Sequence, residues 1–174
     1  MGNKRVVIVC NGESVLQKKN GKLIDSFDRI IRIGKYTIKG YEDVVGSKDD
    51  IAIIRDWQTC KVGEDVEIWS PPRLLEGETL LSNKTLTNKE YFNVKNELGV
   101  ETPTTGIIAY FMAKKFLSGY NIYYTGLDFL SGGWYWKADH KHFNFTSEHN
   151  IVHEPLKEKI WASRMHQKGN IQYV

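Results

Sequence analysis

The stretch "TTGIIAYFMAKKFLSGYNIYYTGLDF", residues 104–129, changes its hydrophobic pattern part-way along. Residues 104–118 repeat apolar side chains at the spacing of a helix, which Thr104 or Thr105 can cap and Gly119 can end. Residues 121–127 form a short apolar run that is typical of a buried strand. A helix followed at once by a strand is half of the unit that builds parallel α/β sheets.

The rest of the chain continues this alternation. Five more apolar runs predict strands, at 5–10, 29–34, 51–55, 66–70 and 171–174, and helical periodicity predicts helices at 88–98 and 154–168. Several of the runs are apolar throughout, as expected where helices cover both faces of a sheet. We therefore predict an α/β fold in one Rossmann-like domain, residues 1–174, with a mostly parallel twisted sheet of about six strands and helices on both faces.

Composition excludes several classes of protein. With 174 residues, 41% hydrophobic and 26% charged, the chain has the make-up of an ordinary globular domain. Its net charge is only +3 and the signs are mixed, so we expect no nucleic-acid partner. No apolar run approaches the roughly 20 residues of a membrane span, and none has the form of a signal peptide. Cys10 and Cys60 fit no zinc or redox spacing, which predicts free thiols and a cytoplasmic location.

Ligands of parallel sheets bind beyond the carboxyl ends of the strands, so the residues after each strand are the first candidates. After the first strand, Asn11 offers donors and acceptors, Gly12 permits close approach of the backbone, and Ser14 can bind a phosphate oxygen. A plain strand–turn–helix junction would explain these three residues equally well. Neither the G-x-G-x-x-G fingerprint nor a phosphate-binding Walker loop is present, which argues against a dinucleotide-dependent dehydrogenase.

Two other segments offer polar groups of the same kind. Thr104, Thr105 and Gly106 open a helix and suit a phosphate or ribose, although simple capping of the helix explains them as well. Asp128 follows the strand at 121–127 and could hold a ribose or a base edge, or merely stabilise its own turn.

"HNIVHEPLKEKIW", residues 149–161, places two histidines just before a predicted helix. Pro155 suits the first helical turn, which puts His153 at the junction, near the positive end of the helix dipole. This position favours neutral imidazole, the form that can accept a proton near pH 7. The alternative is a solvent-facing cap or a histidine whose hydrogen bonds are satisfied within the protein.

Four segments, taken in order, resemble the sialyltransferases. They are "VIVCNGES" (7–14), "IDSFDRIIRIGKYTIKGYEDVVGSKDDI" (24–51), "TPTTGIIAYFMAKKFLSGYNIYYTGLDF" (102–129) and "HNIVHEPLKEKIW" (149–161). The second is similar to the long motif of the animal Golgi enzymes. The third is similar to the Thr-Ser/Thr-Gly helix and Gly-hydrophobic-Asp-Phe turn of the bacterial lipooligosaccharide enzymes.

The resemblance implies an inverting, metal-independent glycosyltransferase. It would move sialic acid, or a related acidic sugar, from a CMP-sugar donor to a hydroxyl of a glycan or glycolipid acceptor, with no cofactor and no metal ion. Homo-oligomerisation stays open. The alternative is a non-catalytic module of the same fold that binds CMP or a nucleotide sugar.

The resemblance also implies roles for individual residues. His153 matches the general base, and His149 would order the loop or the donor. Residues after the first strand would line the phosphate and ribose, the threonine helix start would hold the carboxylate and phosphate, and the turn at 126–129 would cradle cytidine. The predicted donor-binding residues are Asn11, Gly12, Ser14, Arg32, Arg55, Thr104, Thr105, Gly106, Gly126, Asp128, Phe129 and Tyr135.

Three positions depart from the family pattern. Gly34 stands where the family usually has asparagine, Arg55 where the bacterial enzymes have asparagine, and Leu130 where a donor-binding tyrosine is expected. Acceptor choice would lie in the long loops at 71–87 and 131–150, whose sequences carry no readable code.

Overall fold

All six predicted strands are present in the structure, a computed structural model that describes residues 3–54, 62–72, 82, 84–136 and 153–174. Each lies within its predicted range, and five of the six begin at the first predicted residue. They are β1 (Arg5–Val9), β2 (Arg29–Ile33), β3 (Ile51–Ile53), β4 (Glu67–Trp69), β5 (Asn121–Thr125) and β6 (Ile171–Tyr173).

The strands form one sheet in the order β4-β3-β2-β1-β5-β6, and every pairing between them is parallel. This confirms the predicted α/β fold. From β1 the chain adds strands outward on one side and then returns to add β5 and β6 on the other. The strand order therefore reverses beside β1, and such a reversal opens a crevice at the carboxyl ends of the central strands.

The three long helices were predicted close to their observed bounds, and the short ones were not predicted. The helices are a 3₁₀ helix (Glu13–Gln17), α1 (Gly21–Asp25), α2 (Glu42–Val45), α3 (Asn88–Leu98), α4 (Thr105–Phe116) and α5 (Pro155–Gln167).

Helices cover both faces of the sheet because successive side chains of a strand point to opposite sides. In β1, Val6 and Ile8 pack into a core layer with α3, α4 and α5. Val7 and Val9 pack into the opposite layer, beside the 3₁₀ helix, α1 and α2. The central strand is thus buried on both faces, which explains its uniformly apolar sequence.

The first turn of α4 is anchored to the sheet. The Tyr124 hydroxyl of β5 donates to the carbonyl of Gly106 at 2.8 Å, and Tyr124 is fully buried. Gly106 packs tightly, since a Cβ there would lie 3.1 Å from Leu127 and 3.4 Å from the Cys10 sulfur. The start of α4 is therefore held against the carboxyl ends of β1 and β5.

None of the helices described is long and apolar enough to cross a membrane.

Candidate active site

A cleft of about 550 Å³ opens at the carboxyl ends of β1, β2 and β5, facing the first turn of α4. This volume lies within the range of sites for small organic ligands. Nine of the predicted site residues line it: Asn11, Gly12, Thr104, Thr105, Gly106, Gly126, Asp128, Phe129 and His153. The residues predicted after the strands and those predicted at the helix start thus lie in one cleft, although they are far apart along the chain.

Two glycines bring the turns after β1 and β5 together. The Gly12 amide donates to the carbonyl of Gly126 at 3.0 Å. A Cβ on Gly12 would lie 2.6 Å from that carbonyl oxygen and closer still to the Asp128 carboxyl group. Gly126 has φ +66°, which favours glycine, and a Cβ there would lie 2.7 Å from the Cys10 carbonyl oxygen. The close approach of the two turns therefore requires glycine at both positions, and both glycines line the cleft.

Asn11 ties the end of β1 to the turn after β2. Its Nδ2 donates to the carbonyls of Ile33 and Lys35, both at 2.9 Å. These two bonds fix the amide orientation, because carbonyl oxygens only accept. Its Oδ1 is buried and has no hydrogen-bond partner in the described part of the chain. Asn11 therefore keeps an unused acceptor beside the cleft, which a ligand hydroxyl or amino group would satisfy.

Asp128 lines the cleft and also holds the turn after β1. Its Oδ2 accepts from the Ser14 amide at 2.9 Å, and its Oδ1 accepts from the Ser14 hydroxyl. Ser14 itself does not line the cleft. Its predicted contact with a phosphate oxygen is thus replaced by a bond to Asp128, since its hydroxyl hydrogen is already donated. The Asp128 carboxyl group therefore stabilises a turn, but the turn is the one after β1 and not its own, and Asp128 also lines the cleft.

Thr104 is bound to a carboxylate that the sequence did not single out. Glu158 of α5 is fully buried, and it accepts from the Thr104 amide at 2.6 Å and from the Thr104 hydroxyl at 2.7 Å. Burial raises the pKa of the Glu158 carboxyl, and the two bonds from Thr104 oppose that rise. Since its hydroxyl hydrogen is committed to Glu158, Thr104 offers a ligand only lone pairs. The Thr104 side chain does not cap the first-turn amides of α4. These amides and Thr105 are therefore the groups at the helix start that can bind an anion.

His153 lies on the cleft wall, half-buried, just before α5. Its Nδ1 lies 2.7 Å from the carbonyl oxygen of Thr102. A carbonyl oxygen can only accept, so in neutral imidazole Nδ1 carries the hydrogen and Nε2 carries the lone pair. The backbone thus selects the tautomer in which Nε2 is the basic atom. This is the arrangement that a histidine general base needs.

Besides Ser14, two more predicted donor-binding residues do not line the cleft. The Arg32 side chain is fully buried and donates to the carbonyls of Val45, Gly46 and Lys48 at 2.6 to 3.3 Å. The Tyr135 hydroxyl donates to the Thr37 carbonyl at 2.6 Å, and its ring is 2% exposed. Both side chains hold neighbouring loops in place, so the structure corrects their predicted contact with a donor. Arg55 and His149 lie outside the described residues.

The structure adds residues to the site, and Lys35 matters most among them. Lys35 follows β2 and is the one lysine or arginine among the cleft-lining residues described. Its signal was the turn "GKY" after the second strand. Gly34 and Leu130, two of the positions that depart from the family pattern, also line the cleft.

Cys10 also lines the cleft, and its thiol is buried. Burial raises the pKa of the Cys10 thiol far above its usual range, and Asp128 adds to the rise, so Cys10 is no nucleophile. Across the described ranges, no three His, Cys, Asp or Glu side chains cluster where they could hold a metal ion.

Residues 2–70 match the sequence model of glycosyltransferase family 29 (sialyltransferase). The fold matches the crystal structure of a mammalian sialyltransferase with a TM-score of 0.71 at 18% identity, covering 98% of this chain and 68% of that one. A second structure, of a mammalian sialyltransferase in complex with Gal-β1-3GalNAc-ortho-nitrophenol, matches with the same TM-score and identity over 98% of this chain and 69% of that one. No curated protein matches the chain in sequence.

The resemblance to the sialyltransferases is thus confirmed. The sequence match covers the part of the chain that contains Asn11, Gly34 and Lys35, and the fold match extends over the remaining elements. The sequence match over residues 2–70 supports a glycosyltransferase, and the structural matches support the fold. At 18% identity the structural matches show the fold alone. The donor, the acceptor and the mechanism must therefore be inferred from the residues of the cleft.

Proposed function

We propose that this sialyltransferase-like glycosyltransferase moves sialic acid, or a related acidic sugar, from a CMP-sugar donor to a glycan hydroxyl, with inversion and without a metal ion. The observation that carries the proposal is His153, whose Nδ1 is bound to the Thr102 carbonyl in the same cleft as Asn11 and the start of α4. A fixed basic Nε2 beside a nucleotide-sized cleft supports proton abstraction from an acceptor hydroxyl.

The proposed reaction is a single displacement. Nε2 of His153 takes the proton of the acceptor hydroxyl, and the acceptor oxygen forms a bond to the anomeric carbon while the bond to the phosphate oxygen breaks. CMP leaves with the electron pair of that bond. The uncapped first-turn amides of α4 and the Thr105 hydroxyl would stabilise donor anions.

The acceptor is proposed by comparison. One structural neighbour is in complex with Gal-β1-3GalNAc-ortho-nitrophenol, which makes a galactose-containing glycan a sensible first acceptor to assay. His149 stays a predicted positioning residue, with a smaller expected effect on turnover than His153.

The test is release of CMP from a panel of CMP-sugars in the presence of that glycan. His153→Ala should lower the rate by roughly 10²- to 10⁴-fold and leave CMP affinity nearly unchanged, because the residue serves the acceptor. His166→Ala is the matched control: His166 Nδ1 lies 3.1 Å from the carbonyl of Ile171, but the residue is exposed on α5 and lies outside the cleft.

Each result has a definite reading. Transfer by the His153 variant at the wild-type rate would show that His153 is not the general base. If CMP raises the melting temperature but wild-type protein turns over no CMP-sugar, the chain is the non-catalytic binding module instead. Loss of activity in a chelator, restored by added divalent cation, would contradict metal independence.

A further inference from the structure

Lys35 is a cation with no assigned role in the proposed site. It lines the cleft directly after β2, and it forms no ion pair with any described residue. Its Nζ lies over the ring of Trp136, 5.5 Å from the ring centroid. By contrast, Lys84, Lys95 and Lys115 each pair with a glutamate. A lysine in a ligand cleft without a carboxylate partner has its charge available for an anionic ligand.

The backbone of Lys35 is fixed, which gives the side chain a defined origin. Its carbonyl accepts from Asn11 Nδ2 at 2.9 Å, and the preceding amide, of Gly34, donates to the Ile53 carbonyl at 2.8 Å. The side chain therefore starts from a turn that β1 and β3 both hold. Next to it, Gly34 presents no side chain, so an anion can approach the turn.

Lys35 and His153 reach the cleft from elements that lie on opposite sides of β1 in the strand order. Lys35 follows β2, whereas His153 precedes α5, which packs against the edge strand β6. In strand order β2 and β6 lie on opposite sides of β1. Inverting transfer needs the attacking hydroxyl and the leaving group on opposite faces of the sugar. With His153 as the base on one side, the leaving phosphate belongs on the side of Lys35.

We infer that Lys35 binds the phosphate of the CMP leaving group and stabilises its charge as the bond to the sugar breaks. This inference rests on the proposed function. The phosphate gains negative charge in the transition state, so Lys35 should act on kcat as well as on affinity. It is a catalytic residue in this role because it contacts the donor itself.

The test compares Lys35→Gln, Lys35→Arg and wild type in binding of CMP and cytidine by calorimetry, and in kcat for CMP-sugar turnover. Lys39→Gln is the matched control, since Lys39 is exposed in the same loop but does not line the cleft. Lys35→Gln should weaken CMP binding roughly three- to tenfold, lower kcat further, and leave cytidine binding unchanged. Lys35→Arg should retain most of both, and the loss in Lys35→Gln should shrink at high salt.

The outcomes separate this inference from the proposed function. If wild type binds CMP but Lys35→Gln binds it equally well, the inference on Lys35 fails alone. Equal losses for CMP and cytidine would mean that the substitution disturbs the cleft rather than a phosphate contact, and would also overturn it. If only the intact CMP-sugar binds more weakly, Lys35 serves the sugar carboxylate and the phosphate assignment is wrong. A wild type that binds no CMP overturns both proposals.

Discussion

At the residue scale, the family departure at Gly34 has a conformational explanation. Gly34 has φ +56°, in the left-handed region that glycine enters freely and asparagine enters more readily than other residues. Asparagine and glycine are therefore the two residues that suit this turn. The space around the position is open, because a Cβ would meet only Asn11 Nδ2, at 3.9 Å.

Gly34→Asn should consequently fold, with a loss of no more than about 1 kcal/mol in the free energy of unfolding. It should also bind CMP more tightly, since it adds a hydrogen-bonding amide to the cleft wall. Gly34→Val is the control, and its β-branched side chain should cost clearly more. Urea unfolding and calorimetry measure the two effects. Equal destabilisation by both substitutions would contradict a left-handed turn at this position.

Arg32 and Lys35 show how far the sequence alone could predict which residues line the cleft. Both lie in or just after β2, and resemblance favoured Arg32. In a strand, alternate residues share a face, and Arg32 shares the face of Ile30, which packs in the layer of α1 and α2. Its side chain thus runs beneath the sheet to the loop at 45–48. Lys35 lies beyond the end of the strand, where its side chain can reach the cleft. The groups that a flexible lysine contacts depend on the fold, so the sequence did not identify them.

At the element scale, the Thr104–Glu158 contact connects α5, which follows the proposed base, to the start of α4. The sequence could not reveal it, because the two residues are far apart along the chain and an acidic residue in a helix is usually exposed. Helix length explains the other omissions. Four or five residues are too few to display helical periodicity, so α1 and α2 left no readable pattern, whereas α3 to α5 did.

Glu158 gives a prediction for stability against pH. Because burial raises the pKa of this carboxyl, the folded state binds its proton more tightly than the unfolded state does. The contribution of Glu158 is therefore greatest below the unfolded pKa, about 4.3, and declines as pH rises through the raised folded value. Glu158→Gln, which can still pair with Thr104, should gain stability relative to wild type as pH rises.

Glu158→Ala supplies the comparison for that experiment. It leaves the Thr104 amide and hydroxyl without their partner and should cost about 2 to 4 kcal/mol through lost hydrogen bonds and a cavity. Melting temperatures of the three proteins between pH 4 and pH 8 measure both effects. A constant difference between Glu158→Gln and wild type over that range would contradict the raised pKa.

At the scale of the whole molecule, the cleft depends on the pairing of the central strands, because its wall is assembled from their carboxyl ends. Its wall comes from the turns after β1, β2 and β5, the start of α4 and the residue before α5. Most of these segments were predicted from the sequence, because ligands bind at the carboxyl ends of parallel strands. Strand order, which decides which ends are neighbours, depends on long-range pairing that no local pattern encodes.

This dependence predicts how hydrogen exchange responds to CMP. The β1 residues Val6–Val9 are at most 2% exposed and pair on both sides, so their amides should exchange only through global unfolding. In the edge strand β6, Gln172 and Tyr173 are exposed, and local opening there leaves the cleft intact. At 100 times its dissociation constant, CMP should stabilise the folded state by about 2.7 kcal/mol and slow β1 exchange by roughly 100-fold. Exchange in β6 should be fast and barely altered, as mass spectrometry of the corresponding peptides would show. If CMP slowed both strands equally, the edge would open only with the whole sheet, and the cleft and the edge would belong to one cooperative unit.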